Sequence, residues 1–155
     1  MIGQTLSMLY NYNHHVLRLN TEGLNHEDSL VQPAPGGNCL NWVLGHIMAN
    51  RNAILRLLGD EPIWSSEKAA PYERGSKPLT DAAMSVRLPE ILQDLDRSQE
   101  RIQAGLGRLR DEDLEAGSGD TRLGAKLAFF QFHEAYHAGQ VGLIRRLIGK
   151  EGIIR

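Results

Sequence analysis

Apolar residues recur at three- and four-residue steps over four long stretches of the chain, the spacing of one buried face on an α-helix. In the first stretch, about residues 2 to 20, the recurring positions are Leu6, Leu9, Tyr10, Asn13, Val16 and Leu17. The second runs from Cys39 to about Leu58, with a stripe of Cys39, Trp42, Val43, His46, Ala49, Asn50, Ala53 and Leu57. Asn38 stands where its N-cap is expected and Gly59 where a C′ glycine is expected. The third carries Ile91, Leu92, Leu95, Ile102, Leu106 and Leu109. The fourth spans about Thr121 to Ile148, and Gly149 closes it.

Between these stretches the helical period is lost. "QPAPGG" holds two prolines and two glycines, which exclude a helix, and "DEPIWSSEKAAPYERGSKPL" holds three prolines. Thr80-Asp81 opens a short helical piece. Leu88-Pro89 is either a kink or the start of the third long helix, since proline is tolerated at N1. An acidic, glycine-rich link, "RDEDLEAGSGD", leads to the fourth helix. Alternating β-branched runs are few and no internal repeat is present. The expectation is an all-α fold, a four-helix bundle with long crossover connections, forming one domain over residues 1–155. Helices of this length are about 30 Å long and suit that architecture.

Composition narrows the partners. Hydrophobic residues make up 41% and charged residues 23% of the 155, an ordinary globular mixture. The net charge is −2 and no basic cluster exceeds a pair, so nucleic acid is not an expected partner. Cys39 is the one cysteine, so no internal disulfide forms, in keeping with a reducing cytoplasm. The N-terminus lacks a basic start followed by an apolar run, and no apolar run approaches the roughly 18 residues of a membrane span. A soluble, cytoplasmic protein without a membrane partner is expected.

The fourth helix contains His133-Glu134-Ala135-Tyr136-His137, the H-E-x-x-H pattern of zinc proteases. Residues i and i+4 of a helix lie about 40° apart, so both imidazoles point the same way. Phe129, Phe130, Gln140, Ile144, Leu147 and Ile148 share their face, which therefore turns to the bundle interior, as does His46. Three buried imidazoles either satisfy their nitrogens as ordinary core histidines or give one nitrogen each to a divalent metal. Three histidines with an open position describe a catalytic rather than a closed structural site. The protease reading fails on its third ligand. Gln140 and Leu143 stand where glycine and histidine are needed, Glu151 is the sole late glutamate, and no strand precedes the helix. Adjacent His14 and His15 are expected at the surface or rim, and His26 solvated in a polar loop.

"HEAYHAGQVGLIRRLIG" together with "NWVLGHIMANRNAIL" resembles the DinB/YfiT-like superfamily of metal-binding four-helix bundles. The resemblance covers nearly the whole chain and includes G-H-I in helix two and H-x-x-x-H-x-G-Q in helix four. It implies metal ligation by His46, His133 and His137, with water completing the shell, and homodimerisation. It also implies one of several activities on a small-molecule substrate. One is transfer of a low-molecular-weight thiol (bacillithiol, mycothiol or glutathione type) to an electrophile. The others are mycothiol-dependent isomerisation, metal-dependent hydrolysis, and a non-enzymatic metal-binding role in stress response. Zinc or nickel is the expected metal, although three imidazoles also accept cobalt, iron or copper.

Three residues near the ligands are candidates for a catalytic part. Gln140, three positions past His137, and Asn50, four past His46, can orient a ligand, bind substrate or join helices. Glu134 serves as a base if it turns toward the metal, or else is solvated or interhelical. Tyr10 and Asn13 are candidate cavity residues, and Trp42 is expected in the core. Arg18, Arg51 and Arg56 are conceivable donors to the carboxylates of a thiol cofactor. Cys39 lies about 10 Å from His46 along the helix, too far to share its metal, and is expected to be buried and inert.

Overall fold

Every residue except Pro35, Asp81 and Arg155 is described by the computed structural model. Among the described residues there are seven α-helices and no strand. They are α1 (Ile2–Thr21), α2 (His26–Leu30), α3 (Leu40–Leu57), α4 (Ser66–Ala69), α5 (Leu88–Arg108), α6 (Asp111–Glu115) and α7 (Leu123–Leu147). The four long hydrophobic periods are thus α1, α3, α5 and α7. Leu88-Pro89 is a helix start and not a kink, because proline in the first turn gives up an N–H that has no intrahelical partner. Gly59 and Gly149 end α3 and α7 at φ +75° and +83°, in the left-handed region that closes a helix without a Cβ clash.

Other boundaries differ from expectation. Cys39, rather than Asn38, is the N-cap of α3, extended and without a side-chain cap bond. The helical piece expected from Thr80-Asp81 is a 3-10 turn at Ala82–Met84, and Asp81 itself lies outside the described residues. Helix α2 has no long period to betray it. A capping box makes it instead: the Asn25 side chain accepts from the Asp28 N–H at 2.7 Å, and the Asp28 carboxylate accepts from the Asn25 N–H at 3.1 Å.

Helix α1 packs against α5 and α7, and α3 packs against the same two, so α1 and α3 face each other across the bundle. The single stripe expected on α3 is too narrow. Asn41, Leu44, Ile47 and Met48 are buried as well, because α2, α4 and the 3-10 turn Ala70–Tyr72 fold over that helix.

The apolar core falls into two clusters. One joins Leu17, Leu44, Met48, Leu95 and Val141; the other joins Leu6, Tyr10, Leu55, Ile102 and Leu127. A buried polar belt separates them, with Asn13 from α1, Arg51 from α3, Ser98 and Gln99 from α5, and Glu134 from α7. Its centre is Arg51, which is fully buried. Arg51 Nε and Nη2 each donate to a Glu134 carboxylate oxygen at 2.8 Å, while Nη1 donates to the Leu95 carbonyl at 2.8 Å and to Ser98 Oγ at 3.0 Å. One side chain thereby ties α3 to both α5 and α7.

Candidate metal centre

His46 projects from the middle of α3, and His133 and His137 from successive turns of α7. The three Nε2 atoms converge, 3.3 Å between His46 and His133 and 3.2 Å between His133 and His137. Two of the rings are oriented from behind. His46 Nδ1 donates to the Tyr72 carbonyl at 2.7 Å, and His137 Nδ1 donates to Gln140 Oε1 at 2.7 Å. Each of those bonds puts the ring proton on Nδ1 and leaves a bare lone pair on Nε2. Trp42 stacks on the His46 ring at 4.8 Å, with its Nε1 donating to the Pro71 carbonyl and Ser76 Oγ.

The bare Nε2 lone pairs of His46 and His137 converge on His133 Nε2, and a cation among the three nitrogens would answer all of them. Protons do not fill that role at neutral pH, because burial lowers the pKa of all three rings. For His137 burial outweighs the Gln140 contact, the neighbouring imidazoles push the same way, and the ring is held at about 4. Tetrahedral coordination at about 2.0–2.1 Å places ligand nitrogens about 3.3 Å apart, which the two separations match. The three side chains form a group that can hold a metal ion, with imidazole donors that suit several divalent transition metals alike. His133 Nδ1 is buried without a partner among the described residues.

The approach of Tyr72 to His46 depends on Gly45. A Cβ at that position would lie 2.1 Å from Tyr72 Cδ1, so the glycine of the G-H-I motif lets the tyrosine ring lie flat against α3. The Tyr72 hydroxyl is anchored in turn, donating to Asn41 Oδ1 at 3.0 Å and accepting from the Val86 N–H at 2.7 Å. Burial raises its pKa to about 12. Tyr72 carries no signal in the sequence: a lone aromatic in an aperiodic connection acts here through its backbone oxygen.

The histidines lie in the wall of an open cleft of about 650 Å³, lined also by Trp42, Val43, Arg74, Tyr136, Gln140 and Leu143. Asn50 is near the ligands, its Nδ2 donating to the His46 carbonyl at 2.8 Å and lying 3.3 Å from His46 Nε2. Glu134 is not. It faces Arg51 with both oxygens engaged, which leaves no lone pair directed at the cleft to serve as a base. Tyr10 and Asn13 do not line the cleft. The Tyr10 hydroxyl donates to the Leu127 carbonyl at 2.8 Å and Asn13 Nδ2 donates to the Gln131 carbonyl at 3.0 Å, both bracing α1 against α7.

Several expected placements change. Phe129 and Leu147 share the histidine side of α7 but are 61% and 52% exposed, because that face continues past the bundle. Trp42 is buried, yet it is a wall of the cleft as well as core. None of the arginines expected at the rim is there. Arg51 is sealed in the belt, Arg18 is 3.5 Å from Asp96, and Arg56 is exposed away from the cleft. His15 is exposed, as expected, and His14 is half-buried against Asp96 at 3.1 Å. His26, expected in solvent, is buried. Its Nδ1 accepts from the Leu88 N–H at 3.2 Å and its Nε2 lies 3.3 Å from Ser85 Oγ. Cys39 is buried, and burial raises its thiol pKa.

No helix among the described residues is long and apolar enough to cross a membrane. No curated protein matches the chain in sequence. A crystal structure of a conserved protein from Enterococcus faecalis shares the fold with a TM-score of 0.72, over 94% of this chain and 95% of that one, at 18% identity. The sequence profile of the DinB superfamily matches residues 10–141, a span that includes all three converging histidines. The chain belongs to the DinB superfamily.

Proposed function

We propose that this protein is a metal-dependent enzyme that transfers a low-molecular-weight thiol to an electrophile, with His46, His133 and His137 holding the metal. The observation that carries this reading is the convergence of three Nε2 atoms beside an open cleft. Three ligands leave a coordination position free for a reactant, whereas a structural site uses four. A divalent ion bound there lowers the pKa of a thiol, so that thiolate is available near neutral pH.

The side chains supply the rest. The Tyr72 carbonyl and Gln140 Oε1 keep the ring protons of His46 and His137 on Nδ1, so both Nε2 atoms stay available as donors. The Asn50 amide borders the same nitrogen of His46 and can donate to a bound reactant. Trp42, Val43 and Leu143 give the cleft an apolar wall beside the histidines. In the transfer itself, the thiol proton passes to solvent, sulfur bonds to the electrophilic carbon, and the leaving group departs with its electron pair.

The exposed apolar residues Phe129 and Phe132 of α7, which do not line the cleft, support pairing of two copies of the chain through this helix, which sedimentation velocity tests. Cytoplasmic location fits the single buried cysteine.

Mass spectrometry of untagged protein tests the central claim. About one zinc or nickel per chain is expected, lost in His137→Ala, and the loaded protein is expected to bind thiols. A chain that neither carries nor takes up metal overturns the reading.

A further inference from the structure

The connection between α3 and α5 reaches the cleft twice. Tyr72 offers its carbonyl to His46, and two residues later Arg74 joins the lining. Two extended residues span about 7 Å, so one short segment serves both the histidines and the mouth. Gly75, at φ +85°, turns the chain back immediately after the arginine.

Arg74 stands apart from the arginines that tie the fold together. Arg51, Arg97, Arg101 and Arg110 are each bound to a carboxylate. Arg74 is exposed and has no hydrogen bond or ion pair with any described residue. It is the one lysine or arginine among the described residues of the lining, and no aspartate or glutamate stands there to neutralise it. The rest of the wall is mainly apolar, with Trp42 and Val43 from α3 facing Leu143, Ile144 and Leu147 from α7. The cleft volume is within the range of small-molecule sites. An uncompensated guanidinium at the edge of an apolar cleft favours a ligand that brings its own negative charge.

We propose that the cleft takes a small amphipathic anion, its oxyanionic group on Arg74 and its apolar body along Trp42, Leu143 and Leu147. Resting on the function proposed above, the opposite end of that ligand carries the group presented to the histidines. Arg74 is then a specificity-determining residue: it chooses the ligand, while the imidazoles and Gln140 serve the chemistry.

Metal-free protein isolates the arginine from attraction by the metal charge. Octanoate, octyl phosphate and 1-octanol share an apolar body and differ in charge, and each is titrated while backbone amide shifts are followed by NMR. Wild type is expected to bind the two anions about three- to tenfold more tightly than the alcohol, with shifts at the cleft residues. Arg74→Gln is expected to bind all three alike, and Arg74→Lys to recover most of the preference. A stronger response to octyl phosphate than to octanoate assigns a phosphate ligand, and the reverse a carboxylate. Equal binding of anion and alcohol by wild type, a preference that survives in Arg74→Gln, or no binding of any of the three overturns the proposal. Arg74 makes no contact the fold needs, so the variants should keep the wild-type spectrum elsewhere. Metal content of the protein as purified, and metal uptake by the stripped protein, decide the proposed function separately: a chain that carries and takes up no metal yet prefers the anions loses that reading and keeps this one.

Discussion

Arg51 and Glu134 meet between α3 and α7 with their donors and acceptors answered. A short way along the same two helices, His46, His133 and His137 meet with their Nε2 atoms facing one another beside the open cleft. Both groups are polar and mostly buried, the first in the belt between two apolar clusters and the second in the wall of the cleft. The first is closed by its own hydrogen bonds. The second is a group that can hold a cation. Burying charge is costly unless each ion is paired and hydrogen-bonded, so the ion pair is a structural solution; unanswered lone pairs beside an open cleft are a binding solution. His26 is a third case, a buried histidine with both nitrogens engaged and no ligand to hold.

The largest effect that tests this contrast comes from breaking the closed group. Arg51→Leu or Glu134→Leu alone leaves a buried charge unpaired and should cost about 3–5 kcal/mol in urea unfolding. The double substitution, Arg51→Met together with Glu134→Leu, removes both charges at once and should recover most of that loss. Single variants within about 1 kcal/mol of wild type would show the pair is not sealed as described.

Gly45→Ala comes next. The added methyl displaces Tyr72 and should cost about 1–3 kcal/mol. Because the Tyr72 carbonyl orients His46, metal affinity should fall about 10–100-fold as well. Unfolding curves and competition with a chelator measure the two losses, and a stability loss with unchanged affinity would separate Tyr72 from the site.

Gln140→Ala removes an oriented acceptor without touching the core. Metal affinity should fall by about tenfold or more, while stability changes by less than about 1 kcal/mol. Equal affinity for wild type and variant would mean that His137 needs no partner behind it.

The smallest effect concerns His26. Burial lowers its pKa, with Arg87 acting in the same direction and Glu27 against it. Its folded pKa therefore lies below the unfolded value of about 6.5. The stability it contributes is complete above that pH and is lost as pH falls, because the unfolded chain takes up the proton first. His26→Gln should flatten part of the loss in urea midpoint between about pH 7 and 5 and leave metal content unchanged. A fall in metal content would remove the distinction between a satisfied histidine and a ligating one.

Sequence periodicity reveals the elements whose burial repeats. All four long helices, the glycine stops at 59 and 149, and the direction of His133 and His137 follow from a period of about 3.6 residues. The placement of Gln140 beside His137 follows from the same spacing. What stays hidden depends on contacts between distant residues. Nothing near Arg51 announces that Glu134 will reach it from α7, so a surface role for that arginine is as readable as a buried one. His26 reads as solvated because five-residue α2 has no period, and its partners Ser85 and Leu88 come from about 60 positions away. The Tyr72 carbonyl and Arg74 lie in a proline-broken connection, where only the folded chain brings backbone and side chain to the cleft.

That connection has a consequence for how such a protein can change. Its hold on the bundle includes Trp64 on Asp94, Lys68 on Glu90, Tyr72 on Asn41, and Ser76 on Trp42. Between the last two anchors, residues 73 to 75 contribute no hydrogen bond from a side chain to the helices. A lineage, or an engineer, can rewrite positions 73 and 74, keeping the left-handed turn at Gly75, while the histidines stay where α3 and α7 put them. On the readings proposed above, what reacts and what is recognised are carried by separate segments of the chain, and one can change without the other.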